Sequence, residues 1–122
     1  MATITYTVTV ATGTNQYGTG NRYYINGTVS PTIQLQEGNT YIFDTSDSTN
    51  LTHVFAFSIT PNGTHGGGVA YTTGVTTTGV SGNAGSNTTI IVGNTTTRTD
   101  QTVPNLFYYC TVHGGMGGSA PT

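Results

Sequence analysis

The sequence predicts an all-β fold, and two features carry that prediction. Threonine occupies 29 of the 122 positions and glycine another 18, a composition that favours strands and turns. Short segments alternate apolar residues with threonine, whereas alanine, leucine, glutamate and lysine, which long helices need, are scarce. At this length the chain can bury one core, so residues 1–122 are expected to form a single domain.

In the N-terminal third, one strand and several turns are predicted. Every second residue from 4 to 10 is apolar and the residues between are threonines, which gives a strand one apolar face. Residues 18–22 (GTGNR) have turn composition and precede the strand-like YYING. A short run with Ile33 and Leu35 then precedes the turn pair Gly38-Asn39.

The rest of the chain supplies the predicted core strands. TYIFD at 40–44 and HVFAFSI at 53–59 are apolar segments separated by the polar loop TSDSTN. TTIIV at 88–92 and LFYYC at 106–110 are two more. Several short strands without a helix predict a β-sandwich.

A long excursion, residues 60–86, interrupts this regular spacing. It is rich in glycine, threonine and asparagine, and holds only a weak strand candidate at 69–75. A compact domain tolerates such a length mainly when the segment is packed or functional.

Charge and motif content argue against several function classes. The chain has no lysine and no basic patch, so it lacks the electrostatic attraction that drives nucleic-acid binding. No apolar run reaches the roughly 18 residues of a membrane helix, and no export signal opens the chain, which favours a cytosolic product. No carboxylate pair or phosphate-cradling loop is recognisable, so the protein is not expected to be an enzyme. The charged residues are Glu37, Asp44, Asp47, Asp100, Arg22 and Arg98.

The stretch FYYCTVHGGMGG at 107–118 contains the only cysteine. Cys110, His113 and Met116 follow one another at intervals of three residues. Blue-copper sites use one thiolate, two imidazoles and a weak axial thioether, so this stretch offers three of four ligands. The second imidazole could come from His53, which opens a core strand, or from His65 in the excursion.

This stretch resembles the ligand loops of cupredoxins such as plastocyanin, pseudoazurin and amicyanin. The Cys-x2-His-x2-Met spacing is similar to that of amicyanin-like loops, and the upstream histidine of the family matches His53 in STNLTHVFAFS. The resemblance implies a Greek-key β-sandwich with copper held by His53, Cys110, His113 and axial Met116. One departure is Val54, which stands where plastocyanin-like proteins have an asparagine that ties the two ligand segments together.

A second resemblance covers about residues 39–119, including the excursion. DTSDSTNLTHVFAFS, GTHGGGVAYTTGVTTTGVSGNAGSNTTIIV and LFYYCTVHGGMGG together resemble cupredoxin-like domains of virion structural proteins of marine cyanophages. This implies a phage virion protein, either a capsid decoration (cement) protein or a small appendage subunit. Its partners would be the major capsid or other virion proteins, in several copies, on a particle assembled in the host cytoplasm.

Two other functions are compatible with the same residues. The ligand set alone would suit a type-1 copper electron-transfer protein. The many hydroxyl side chains and the loop-rich excursion would suit a carbohydrate- or surface-binding module. His65 is expected to be a solvent-facing loop residue rather than a ligand.

Overall fold

A computed structural model describes residues 2–93 and 103–122 of the chain, so Arg98 and Asp100 lie outside the described residues. Within those ranges the fold consists of two β-sheets and one short 3-10 turn at Ser48–Asn50. Among the described residues no helix has the length and apolar character needed to cross a membrane. The described ranges contain ten strands: β1 (Thr3–Asn15), β2 (Gly18–Ile25), β3 (Thr28–Val29), β4 (Thr40–Asp44), β5 (Phe55–Ser58), β6 (Ala70–Tyr71), β7 (Val75–Thr78), β8 (Asn87–Ile91), β9 (Leu106–Cys110) and β10 (Gly118–Ala120).

The larger sheet is mixed and has the strand order β3-β2-β1-β4-β8-β7. Strand β1 divides its pairing: residues 3–7 run parallel to β4, and residues 8–15 pair antiparallel with β2. The alternation predicted for β1 is confirmed, since Val8 and Val10 are buried while the threonines between and before them are more exposed. The smaller sheet has the order β10-β9-β5-β6 and is antiparallel.

An aromatic core joins the two sheets. Phe55 on β5 is fully buried, and its ring centroid lies 4.7 Å from that of Phe43, 5.1 Å from Tyr23 and 5.4 Å from Tyr108. Close ring pairs of this kind add stabilisation beyond the area they bury. The all-β sandwich predicted from the sequence is therefore confirmed.

The turn predicted at residues 18–22 is wrong, because these residues form the start of β2. Gly18 pairs with Asn15, Gly20 with Gly13 and Arg22 with Ala11, and the connection is reduced to residues 16–17. A two-residue hairpin loop needs few turn residues, and the glycines instead occupy strand positions. The Arg22 side chain folds back over Gly20, within about contact distance of where a Cβ would stand there.

The C-terminal strand β10 has no counterpart in the sequence prediction. It pairs with β9, and the chain around Ile33 and Leu35 lies on its other side, donating hydrogen bonds to the carbonyls of Ser119 and Pro121. Ile33 and Leu35 are buried without forming a regular strand. The excursion contains β6 and β7, with a series of turns before them at residues 61–66.

Candidate metal centre

Two neighbouring strands bring the predicted ligands His53 and Cys110 to the same end of the smaller sheet. Cys110 is the last residue of β9 and pairs with Phe55, the first residue of β5. His53 precedes Phe55 by two residues and leaves the short 3-10 turn, where its N–H donates to the carbonyl of Asn50 at 2.9 Å. The side chain of Asp47 caps that turn by accepting a hydrogen bond from Thr49 N–H. The polar loop thus sets the position of His53.

Three side chains converge closely enough to share one metal ion. The Nδ1 atoms of His53 and His113 are 3.1 Å apart, and they lie 3.7 Å and 3.9 Å respectively from the Sγ atom of Cys110. Metal bonds to imidazole nitrogen and thiolate sulfur are about 2.0–2.3 Å long, so two such bonds span about 4 Å. Among the described residues these three form a group that could hold a metal.

The surroundings of the three side chains differ in exposure. His53 and Cys110 are buried, with Cys110 a free thiol, whereas His113 is exposed. Burial lowers the pKa of His53, and the charge of the neighbouring His113 lowers it further. Because only a neutral imidazole can coordinate a metal, both effects keep His53 in its ligating form.

Met116 is buried three residues after the exposed His113. Its backbone carbonyl accepts a hydrogen bond from Tyr23 N–H at 2.9 Å and one from Ser30 Oγ at 3.1 Å. The side chain is 1% exposed, so it belongs to the core rather than to a surface turn. Its role as axial ligand concerns the thioether sulfur and stays a prediction.

His65 supports the ligand strand and is not a member of the three-residue group. Its Nε2–H donates to the carbonyl oxygen of Cys110 at 2.8 Å, and its ring meets the ring of Tyr109 edge-on. It lies in the turns of the excursion, as expected, and it is half-buried, so its ring only partly faces solvent. The contact fixes the backbone from which the thiol projects.

Two asparagines that sequence reasoning missed hold the loop after Cys110. The Asn62 side-chain carbonyl accepts from Gly115 N–H at 2.7 Å, and the Asn15 amide donates to the Gly115 carbonyl at 2.8 Å. Asn62 belongs to the excursion and Asn15 to the end of β1. The excursion is therefore packed against the candidate site. Packing was one of the two explanations given above for its length, the other being a functional role.

A backbone hydrogen bond replaces the tether that Val54 cannot provide. Thr111 N–H, next to Cys110, donates to the carbonyl of Val54, next to His53, at 3.0 Å. A main-chain bond does not depend on the identity of the side chain at position 54. The two ligand segments are thus held together despite the departure from the plastocyanin pattern.

Comparisons with known proteins add no family to this description. No protein-family model, no curated protein and no solved structure matches the chain. The two-sheet β architecture and the cluster of His53, Cys110 and His113 are accordingly its most informative features.

Proposed function

We propose that the chain is a virion structural protein on a cupredoxin-like fold that binds one copper ion. The observation that carries the copper assignment is the convergence of His53, Cys110 and His113 within 4.8 Å of one another. A thiolate with two imidazoles is a soft-to-borderline donor set that suits copper or zinc, and not magnesium or calcium. Met116 would add the weak axial thioether of a type-1 site, which makes copper the better fit.

The protein supplies a largely prearranged ligand set for such an ion. Hydrogen bonds to the backbone of Cys110, Gly115 and Met116 position the loop from three other segments. When bound, copper would supply one-electron redox chemistry. A ligand cluster fixed in this way limits the reorganisation that accompanies a change of charge at the metal.

Titration with Cu(II), followed by visible absorption, tests the copper assignment. We expect an intense thiolate-to-copper charge-transfer band that saturates at one equivalent, because Cys110 would bind as the thiolate. The Cys110→Ser variant should lack the band while keeping the fold. Folded wild-type protein that takes up copper without the band, or takes up none, would contradict the assignment.

The virion role is supported by the resemblance over residues 39–119 and by the sparse charge of the chain. Only 2 basic and 4 acidic residues occur in 122, and Arg22, one of the two basic residues, is 6% exposed. A surface with so little charge has weak electrostatic repulsion between copies, which favours association. The proposed role is a capsid decoration protein or small appendage subunit, which needs no catalysis.

Binding to phage particles tests this role separately from copper. We expect the purified protein to co-sediment with marine cyanophage particles or preformed capsids and to saturate at a fixed number of copies per particle. Heat-denatured protein and an unrelated β-sandwich of similar size serve as controls. A stable monomer without affinity for any particle would contradict the virion role and leave the copper assignment standing.

The second candidate is a type-1 copper electron-transfer protein, and the exposure of His113 favours it. Two ligands are buried while this imidazole reaches solvent, so a redox partner could approach the metal through it. This alternative predicts fast, reversible reduction and reoxidation by small redox mediators. Copper that binds but cannot be cycled would leave only the structural role.

A further inference from the structure

Tyr23 on β2 has a buried hydroxyl without a regular hydrogen bond. In the described part of the chain, three buried side-chain atoms have no partner: Arg22 Nε, Tyr23 Oη and Asn50 Oδ1. Tyr23 is 0% exposed, so bulk solvent does not reach its hydroxyl. Leaving such a group unpaired costs folding free energy, which a phenylalanine at this position would avoid.

Tyr23 lies against the ligand loop and against the strand partner of Cys110. Tyr23 N–H donates to the carbonyl of Met116, and the Tyr23 ring lies 5.1 Å from that of Phe55, the strand partner of Cys110. Burial raises the pKa of Tyr23 most, and the Cys110 side chain raises it further through its charge and as a hydrogen-bond partner. A neutral thiol is a weak acceptor, which accounts for the absence of a regular bond.

We propose that the Tyr23 hydroxyl donates a hydrogen bond to the Cys110 sulfur when that sulfur is a copper-bound thiolate, so that Tyr23 is a positioning residue of the site. The inference rests on the copper site proposed above. A bound metal holds a thiol in its deprotonated form, and hydrogen bonds to an anionic acceptor are shorter and stronger than those to a neutral one. The orphaned hydroxyl is thus satisfied in the metal-bound protein.

This bond has a defined effect on the two oxidation states. The thiolate carries more negative charge when copper is reduced, so the bond stabilises the Cu(I) state more than the Cu(II) state. Hydrogen bonds to a ligand sulfur are one of the means by which proteins set a reduction potential. Loss of the bond should therefore lower the potential.

The test compares Tyr23→Phe with Tyr108→Phe. Tyr108 is also buried and its ring also contacts that of Phe55, but its hydroxyl already donates to the carbonyl of Pro31 at 2.6 Å. Cu(I) and Cu(II) affinities, the reduction potential and the stability of the metal-free protein are measured for both variants. Together they separate a bond to sulfur from the general effect of removing a buried hydroxyl.

For Tyr23→Phe we expect 10- to 100-fold weaker Cu(I) binding, a smaller loss for Cu(II), and a lower potential, with metal-free stability equal to or above wild type. For Tyr108→Phe we expect lower metal-free stability and an unchanged potential. If wild type binds copper but Tyr23→Phe changes neither the reduction potential nor the ratio of Cu(I) to Cu(II) affinity, the inference about Tyr23 is overturned and the copper site is not. A marked loss of metal-free stability in that variant would overturn the inference as well, because it would indicate a structural partner. Failure of wild type to bind copper would overturn the proposed site and the inference together.

Discussion

Alanine at Gly117 should disrupt the ligand loop and destabilise the whole domain. A Cβ at this position would overlap the carbonyl oxygen of Tyr108 and lie 3.0 Å from the Cα of Tyr109. Both atoms belong to the backbone of β9, so the clash cannot be relieved by turning a side chain. We expect a loss at or above the upper end of the about 1–3 kcal/mol typical of overpacking, together with loss of copper binding. Urea unfolding and copper titration measure the two effects.

Gly114→Ala is the matched control in the same loop. The nearest heavy atom to a Cβ there is Asn62 Nδ2 at 3.5 Å, an ordinary contact, so the change in stability should stay within about 0.5 kcal/mol. Similar losses of stability in both variants would show that the loop is sensitive to any added side chain, and not to the clash at position 117 in particular. Tolerance of both would show that the loop can move away from β9.

Phe55→Ala should remove a comparable or larger part of the stability. This ring contacts Phe43, Tyr23, Tyr108 and Phe57 at centroid distances of 4.7–5.6 Å, and no part of it is exposed. Truncating a phenylalanine in a core costs about 3–5 kcal/mol, through lost burial and the cavity left behind. Thermal and urea denaturation of the metal-free protein measure the loss.

Val54→Ala provides the comparison, because Val54 precedes Phe55 and is 36% exposed. It should cost well under about 1 kcal/mol, since its side chain lies largely outside the core. A Phe55 variant no less stable than the Val54 variant would contradict the packing described for the two sheets. Copper affinity should also fall more for Phe55→Ala, because Phe55 pairs with Cys110.

The strands that the sequence predicted best are β4 and β9, which are interior strands of the larger and the smaller sheet. Residues 40–44 and 106–110 were predicted with the same bounds as β4 and β9, because unbroken apolar and aromatic runs leave little choice of structure. Residues 18–22 were misjudged because their composition indicates a turn, while pairing with β1 holds them extended. The parallel pairing of β1 with β4 joins residues 37 positions apart, such as Thr3 and Thr40, which no local pattern reveals.

Of the residues around the candidate site, some were likewise predictable from the sequence and others were not. His53, Cys110 and His113 were identifiable because cysteine and histidine are rare in this chain and their spacing is distinctive. Asn15, Asn62 and Tyr23 were not, because asparagine and tyrosine are common here and their roles depend on which segments meet. Hydrogen-bond partners at such separations follow from tertiary structure alone.

The 57-residue separation between His53 and Cys110 also bears on the kinetics of folding. The two ligands meet only once β5 has paired with β9, and pairings between distant segments form slowly and late. An ion that contacts both would then stabilise the native state while leaving the transition state nearly unchanged. Bound copper should accordingly slow the rate of unfolding and have little influence on the rate of folding, so its main benefit would be the lifetime of the folded protein.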